Sequence, residues 1–122
     1  MTSSRRVVVT GMGAVTPFGV GVDPFWEGLI EGRSGIGPIT LFDTSGFDVR
    51  FAGEVRGFDP NQHLDRRLIK RIDRYAQFAL IACDEAVRAS GIDVTEEDPT
   101  RIATIYGTGI GGLGELEEQH AR

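Results

Sequence analysis

The stretch "IYGTGIGGLGELEE", residues 105–118, decides how this chain is read. Gly107, Gly109 and Gly112 stand at the spacing G-x-G-x-x-G, after the apolar run at residues 102–106 and before an acidic, helix-forming tail. In a dinucleotide site such glycines let the backbone approach a pyrophosphate at a helix N-terminus, with an acidic residue about 20 positions further on. That position falls beyond Arg122. Two readings stay open here, a phosphate cradle and a glycine-rich turn with a packing role. A second stretch, "TGMGAVTPFG" (residues 10–19), has Gly11 and Gly13, but Thr16 takes the third position. Pro17 behind it obstructs the helix that would meet a phosphate.

Composition narrows the classes. The 122 residues are 40% hydrophobic and 25% charged, the balance of one soluble globular domain. Seventeen glycines are about twice the usual share, which points to close backbone approaches. A net charge of −5 argues against a general nucleic-acid binder, which needs a basic field over the phosphates. The single cysteine makes no internal disulfide, so a reducing compartment is expected. Residues 3–15, "SSRRVVVTGMGAV", imitate a twin-arginine leader, but Thr10, Gly11 and Gly13 break the apolar run and Pro17 stops it. No stretch approaches the ~20 apolar residues of a membrane span, and the expected location is the cytoplasm.

The element order reads as α/β. Residues 6–10 form a β-branched run ending in glycine, the pattern of a strand buried on both faces. Asp23 and Pro24 offer an N-cap and a first helical residue for a helix closed by Gly32. Residues 33–48 read as loop, and residues 49–55 alternate well enough for a strand. From Asp65 the period turns helical, with Asp73 capping a second, longer helix that stops at Ser90 and Gly91. Residues 101–109 supply a third buried strand.

Chemistry-bearing side chains are few. Cys83 falls on the apolar stripe in mid-helix beside Asp84 and Glu85, where a thiol acts as a small hydrophobe rather than a nucleophile. His63 and His120 have no ligand spacing to another His or Cys and read as solvated surface, so no metal is expected. The basic cluster says more. Arg66, Arg67, Lys70, Arg71 and Arg74 outweigh Asp65 and Asp73 to give +3 over residues 65–74, leaving −8 for the rest. On one helix Arg67, Lys70, Arg71 and Arg74 would make a single stripe, with Leu68, Ile69 and Ile72 facing the core. Such a stripe is either an ordinary solvated face or a dock for an acidic partner.

"RRVVVTGMGAVTPFG" (residues 5–19), "LFDTSGFDVRFAGEV" (41–55), "RIDRYAQFALIACDEAVRASGI" (71–92) and "GTGIGGLGELEE" (107–118) together resemble the N-terminal part of β-ketoacyl-acyl-carrier-protein synthases of the elongation type. The resemblance runs in order along essentially the whole chain. It implies a partial thiolase-like fold, a layered α/β architecture that the family builds as a homodimer. It also implies that residues 1–122 are the N-terminal part of such a domain, truncated before the catalytic cysteine.

By that resemblance the glycine turn binds no phosphate but lies near the acyl pocket and dimer interface, with Ile110 at the pocket. The docking site for the acidic acyl carrier protein carries over onto Arg67, Lys70 and Arg71. No cofactor, nucleic acid or membrane partner is implied. The family's decarboxylative condensation uses a nucleophilic cysteine and two histidines. Cys83, His63 and His120 match none of them, so no catalytic residue is assigned and the chain alone is expected to be inactive. A non-catalytic chain-length-factor-like partner and an independent nucleotide-binding module are the alternatives.

Overall fold

The computed structural model describes residues 5–122. Elements run β1 (Val15–Thr16), β2 (Gly19–Val20), α1 (Val22–Ile30), β3 (Gly37–Pro38), β4 (Phe51–Ala52), α2 (Arg66–Ile69), α3 (Arg74–Ser90) and α4 (Leu113–His120). Short 3₁₀ turns occupy Pro60–Gln62 and Pro99–Arg101. The strands form two antiparallel pairs, β1 with β2 (Val15 opposite Val20) and β3 with β4 (Gly37 opposite Ala52).

Helix α3 organises the rest. The Asp73 side chain caps it by accepting from the Arg74 amide, and Gly91 ends it at φ 68°. Both ends fall where the sequence places them, because cap and stop signals are local. Gly11 and Gly13 lie flat on the helix: a Cβ added at Gly13 would run into the Ala82 carbonyl oxygen and stand 2.9 Å from the Ala86 nitrogen. Glu85 reaches out of the same contact and accepts from the Ala14 amide at 2.9 Å and the Val22 amide at 2.8 Å.

That last bond corrects the start of α1. The helix begins at Val22 after Gly21, and Asp23 sits inside its first turn rather than capping it. The Val22 amide, one of the free donors of the first turn, is satisfied from 63 residues away by Glu85 in place of a local side-chain cap. Its far end is as expected, with Gly32 at φ 64°.

The strand expectations fare less well. Residues 6–10 and 102–108 run without a ladder among the described residues, with Val7 89% and Ile105 94% exposed. A doubly buried strand pattern records what must cover both faces, and the described residues leave the side chains of both runs exposed. Residues 49–55 contribute only Phe51–Ala52, whose partner Gly37–Pro38 lies in the stretch read as loop. The twin-arginine stretch begins at residues outside those described.

Burial is correspondingly thin. Ile81, at 6% exposure, is the buried hydrophobic side chain among the described residues. The accessible surface is 10276 Å², whereas a compact monomer of this mass exposes about 6,400 Å². Much of the apolar surface therefore faces solvent.

One polar cluster is well built. Glu54 is buried beside the β3–β4 pair and accepts from the Thr40 amide and hydroxyl, both at 2.8 Å, from the Leu41 amide at 3.2 Å and from Arg56 Nε at 3.2 Å. The Thr40 amide foremost, then its hydroxyl, Leu41 and Arg56, outweigh the opposing effect of burial and lower its pKa from 4.5 to about 2. A carboxylate depressed on folding contributes stability above its unfolded pKa and loses it as pH falls through the folded one. Titrating the chain while following the Thr40 and Leu41 amide chemical shifts should give a midpoint near 2, with the β3–β4 loop losing this support between 4.5 and about 2. A midpoint at the ordinary value would show that the cluster does not hold in solution.

Candidate functional site: a basic turn between two helices

The basic cluster is not one helix face. Helix α2 lasts four residues, capped by Asp65 accepting from the Arg67 amide at 2.8 Å, and ends with Lys70 as its C-cap. Arg71 lies in the turn before α3, its amide donating to the Leu68 carbonyl at 2.9 Å. Buried Gln77 fixes the junction by donating from Nε2 to the Ile72 carbonyl at 3.1 Å, and at 3.5 Å to that of Ile69. Two carbonyls left over where α2 ends are thereby satisfied, which lets the chain turn without unpaired polar groups.

The break separates the arginines by role. Arg74 is half-buried, stacks over the rings of Phe58 (5.1 Å) and Phe78 (5.0 Å), and donates to the Val55 carbonyl at 2.6 Å. It ties α3 to the segment before α2 and leaves the stripe that a continuous helix would have made. Arg66, Arg67, Lys70 and Arg71 are exposed, and none makes an ion pair among the described residues. Leu68, expected to face the core, is exposed too, while Ile69 and Ile72 are half-buried.

The glycine turn meets the other end of this junction. Gly111 adopts φ 79°, and Gly112 precedes α4 packed so closely on Asp73 that a Cβ there would collide with Oδ2. Asp73 Oδ2 is buried without a hydrogen-bond partner. It stands where the N-terminal end of α4 supplies a compensating positive field. A phosphate would have to share that helix start with a carboxylate, which weighs against the nucleotide reading. Gly107 and Gly109 have open space around them.

Ile110 projects from this turn at 80% exposure. A cavity of about 430 Å³ lies alongside, walled by Leu41, Phe42, Tyr75, Phe78 and Leu113 among others and reaching Gly111, but Ile110 is not on its wall.

Cys83 is in mid-α3 as expected, yet exposed rather than packed in the apolar stripe. The packed side of α3 is set by Ala82 and Ala86 against the glycines, and Cys83 lies one residue round from it. His63 follows the 3₁₀ turn, stacked at 4° on the Phe58 ring with centroids 6.3 Å apart, and His120 is exposed in the last turn of α4. Among the described residues no three His, Cys, Asp or Glu side chains converge as a metal site, and no helix is long and apolar enough to cross a membrane.

Residues 4–122 match the family model described as "Beta-ketoacyl synthase, N-terminal domain". The chain belongs to the β-ketoacyl synthase family. Its fold class is accordingly the N-terminal portion of the layered α/β thiolase-like architecture, and its family is one of acyltransferases.

The chain is 50% identical over 115 residues to 3-oxoacyl-[acyl-carrier-protein] synthase 2 of Synechocystis sp., covering 94% of this chain and 28% of that one. It is also 50% identical over 118 residues to a putative polyketide beta-ketoacyl synthase 1 of Streptomyces cyaneus, covering 96% and 28%. Among solved structures, the ishigamide ketosynthase/chain length factor aligns with a TM-score of 0.66 at 40% identity, covering 75% of this chain and 23% of that one. A type II polyketide acyl-carrier protein in complex with its ketosynthase aligns at 0.60 with 28% identity, covering 80% and 25%. The chain thus spans about 28% of the length of these two curated relatives.

Proposed function

We propose that this chain is the N-terminal part of a 3-oxoacyl-[acyl-carrier-protein] synthase acting in the cytoplasm as a homodimer. The synthase would condense an acyl thioester with malonyl-acyl-carrier protein in chain elongation, and the reacting cysteine and histidines would be supplied outside these residues. Within that enzyme, Arg67, Lys70 and Arg71 dock the acidic carrier protein and Ile110 contributes to the acyl pocket. The carrying observation is the family match along residues 4–122. The exposed cations at the α2–α3 turn support the docking assignment, because a +3 segment on a chain of net −5 is where an acidic partner is drawn.

Each exposed charge contact is worth only ~0.2–1 kcal/mol, so docking through this turn should be weak and salt-sensitive. Replacing Arg67, Lys70 and Arg71 with glutamate should weaken carrier-protein binding by about tenfold or more at low salt, chiefly through slower association. Affinity measured across a salt series checks this. An unchanged affinity at low salt would leave the turn as ordinary solvated surface.

The alternative, a non-catalytic chain-length-factor-like partner, draws on the alignment with a ketosynthase/chain length factor pair. The two readings part on covalent chemistry. A synthase carrying these residues takes an acyl group from the carrier thioester onto its own thiol, visible as a mass increase, whereas a chain-length-factor-like subunit stays unmodified.

A further inference from the structure

Asp73 faces two helix starts at once. One carboxylate oxygen caps α3 by accepting from the Arg74 amide. The other, Oδ2, is buried without a hydrogen-bond partner, and among the described residues Asp73 makes no ion pair. Arg74, the adjacent cation, is engaged by Phe58, Phe78 and the Val55 carbonyl instead. A buried polar atom left in this way calls for a reason. Oδ2 lies against Gly112, the N-cap residue of α4, and α4 has no side-chain cap of its own. The free amides of a helix's first turn and its macrodipole both favour an anion at that end. The carboxylate thus brings from α3 what α4 lacks.

Glycine permits the approach. Gly112 sits at φ −76°, which any residue can adopt, yet a Cβ there would collide with Oδ2 and stand 3.0 Å from Cγ of Asp73. Beside it, Gly111 takes φ 79° with the Tyr75 ring 3.7 Å from where a Cβ would be, and its amide donates to Thr108 Oγ1 at 3.1 Å. Asp73, Tyr75, Gly111 and Gly112 also share the wall of the cavity of about 430 Å³. The turn that carries Ile110 is therefore seated on the first residues of α3.

We infer that Asp73 is a positioning residue for acyl-chain selection: its second oxygen fixes where Gly112 sits and, two residues away, where Ile110 stands. This builds on the reading above that Ile110 contributes to the acyl pocket. Only a carboxylate offers an acceptor to both helix starts, since serine has one oxygen and asparagine one oxygen and a donor. With the start of α4 unanchored, Ile110 moves, and a displacement of about 1 Å is enough to change how well a bound chain is placed.

The test uses the synthase that carries these residues, with short, medium and long saturated acyl-carrier-protein thioesters, and reads kcat/KM for each length. Asp73→Ser keeps a good cap on α3 and removes the second acceptor. It should change the long-to-short ratio of kcat/KM roughly three- to tenfold, at or below what one methylene is worth in an apolar pocket. Asp73→Asn should move the ratio in the same direction. Gly112→Ala strikes the same contact from the other side with the α3 cap intact, and decides the matter should Asp73→Ser fold poorly. Combined with Asp73→Ser it should add little, because the oxygen it meets is gone. Ile110→Ala, the control for the pocket, should alter the profile by itself.

A loss by one common factor at every chain length in Asp73→Ser and Gly112→Ala would make Asp73 a helix cap and nothing more, and overturn the inference. Fully additive effects in the double variant would show that Oδ2 does not seat Gly112, with the same result. A profile altered by Ile110→Ala but by neither of the others would overturn the role of Asp73 and leave the pocket reading standing. A profile unchanged by Ile110→Ala would remove the pocket reading itself, and the role of Asp73 with it.

Discussion

Replacing Gly13 with valine should abolish the packing of residues 11–14 on α3 and cost at least ~3 kcal/mol, enough to leave a thinly buried chain largely unfolded. An added Cβ at Gly13 meets the Ala82 carbonyl oxygen, its carbon at 2.8 Å and the Ala86 nitrogen at 2.9 Å, all helix backbone. Backbone in the middle of a 17-residue helix cannot rotate aside as a side chain could. The segment must lift off instead, and Glu85 then loses its bonds to Ala14 and Val22, unbinding β1–β2 and the start of α1 together. Gly13→Ala should do the same to a lesser degree.

Gly109 is the control, because nothing lies within 4 Å of its missing Cβ and its backbone is not left-handed. Gly109→Ala in this chain should stay within about 0.5 kcal/mol of the parent. Urea melts followed by circular dichroism, with amide spectra of residues 14–22, give the comparison. A Gly13→Val chain melting at the parent midpoint would show that the glycine–helix contact is not formed in solution.

The same contact explains what the sequence could and could not disclose. Helix α3 was legible because its signals are local: Asp73 before it, Gly91 after it, and apolar residues at helical spacing between. The start of α1 was not, because its cap is Glu85, which reads in sequence as one more surface acid on α3. The split of the basic stripe depends on Gln77, a polar residue whose burial no periodicity announces. Arg74 left the stripe because Phe58 and Phe78 bracket it, a pairing across 20 positions.

A nearer signal was present for the β1–β2 hairpin, since Thr-Pro-Phe-Gly at residues 16–19 is turn chemistry, with Thr16 Oγ1 accepting from the Phe18 amide at 3.2 Å. Residues 6–10 and 102–108 carry a strand pattern whose ladder partners are not among the described residues. Pattern states a requirement for burial, and only packing meets it. For the site, family resemblance supplied the proposed docking positions, and the structure shows that Lys70 caps α2 and Arg71 lies in the turn after it rather than on one helix face.

The isolated 122-residue chain should form no detectable 3-oxoacyl product from carrier-bound acyl and malonyl thioesters. Condensation of this kind needs a thiolate held ready to take the acyl group and donors that stabilise the developing enolate and oxyanion. Cys83 is exposed in the middle of α3, far from a helix N-terminus that could favour its thiolate, with Asp84 and Glu85 next in sequence. His63 is stacked on Phe58 and His120 closes α4, on elements that bring neither to Cys83 in any converging cluster among the described residues. Without those groups the loss is the full catalytic advantage, typically 10⁶-fold or more, equivalent to ~8 kcal/mol of barrier.

Product analysis by mass spectrometry, with Cys83→Ala run in parallel, decides the matter. The two proteins should be indistinguishable from buffer. Authentic 3-oxoacyl product that disappears on Cys83→Ala would make Cys83 the nucleophile and overturn the assignment of the chemistry to residues outside this chain. Product that persists in the variant would point to a carried-over enzyme, which repurification to constant specific activity would expose. A docking surface needs no reacting group, so under the proposed docking reading carrier-protein binding should survive while turnover is absent.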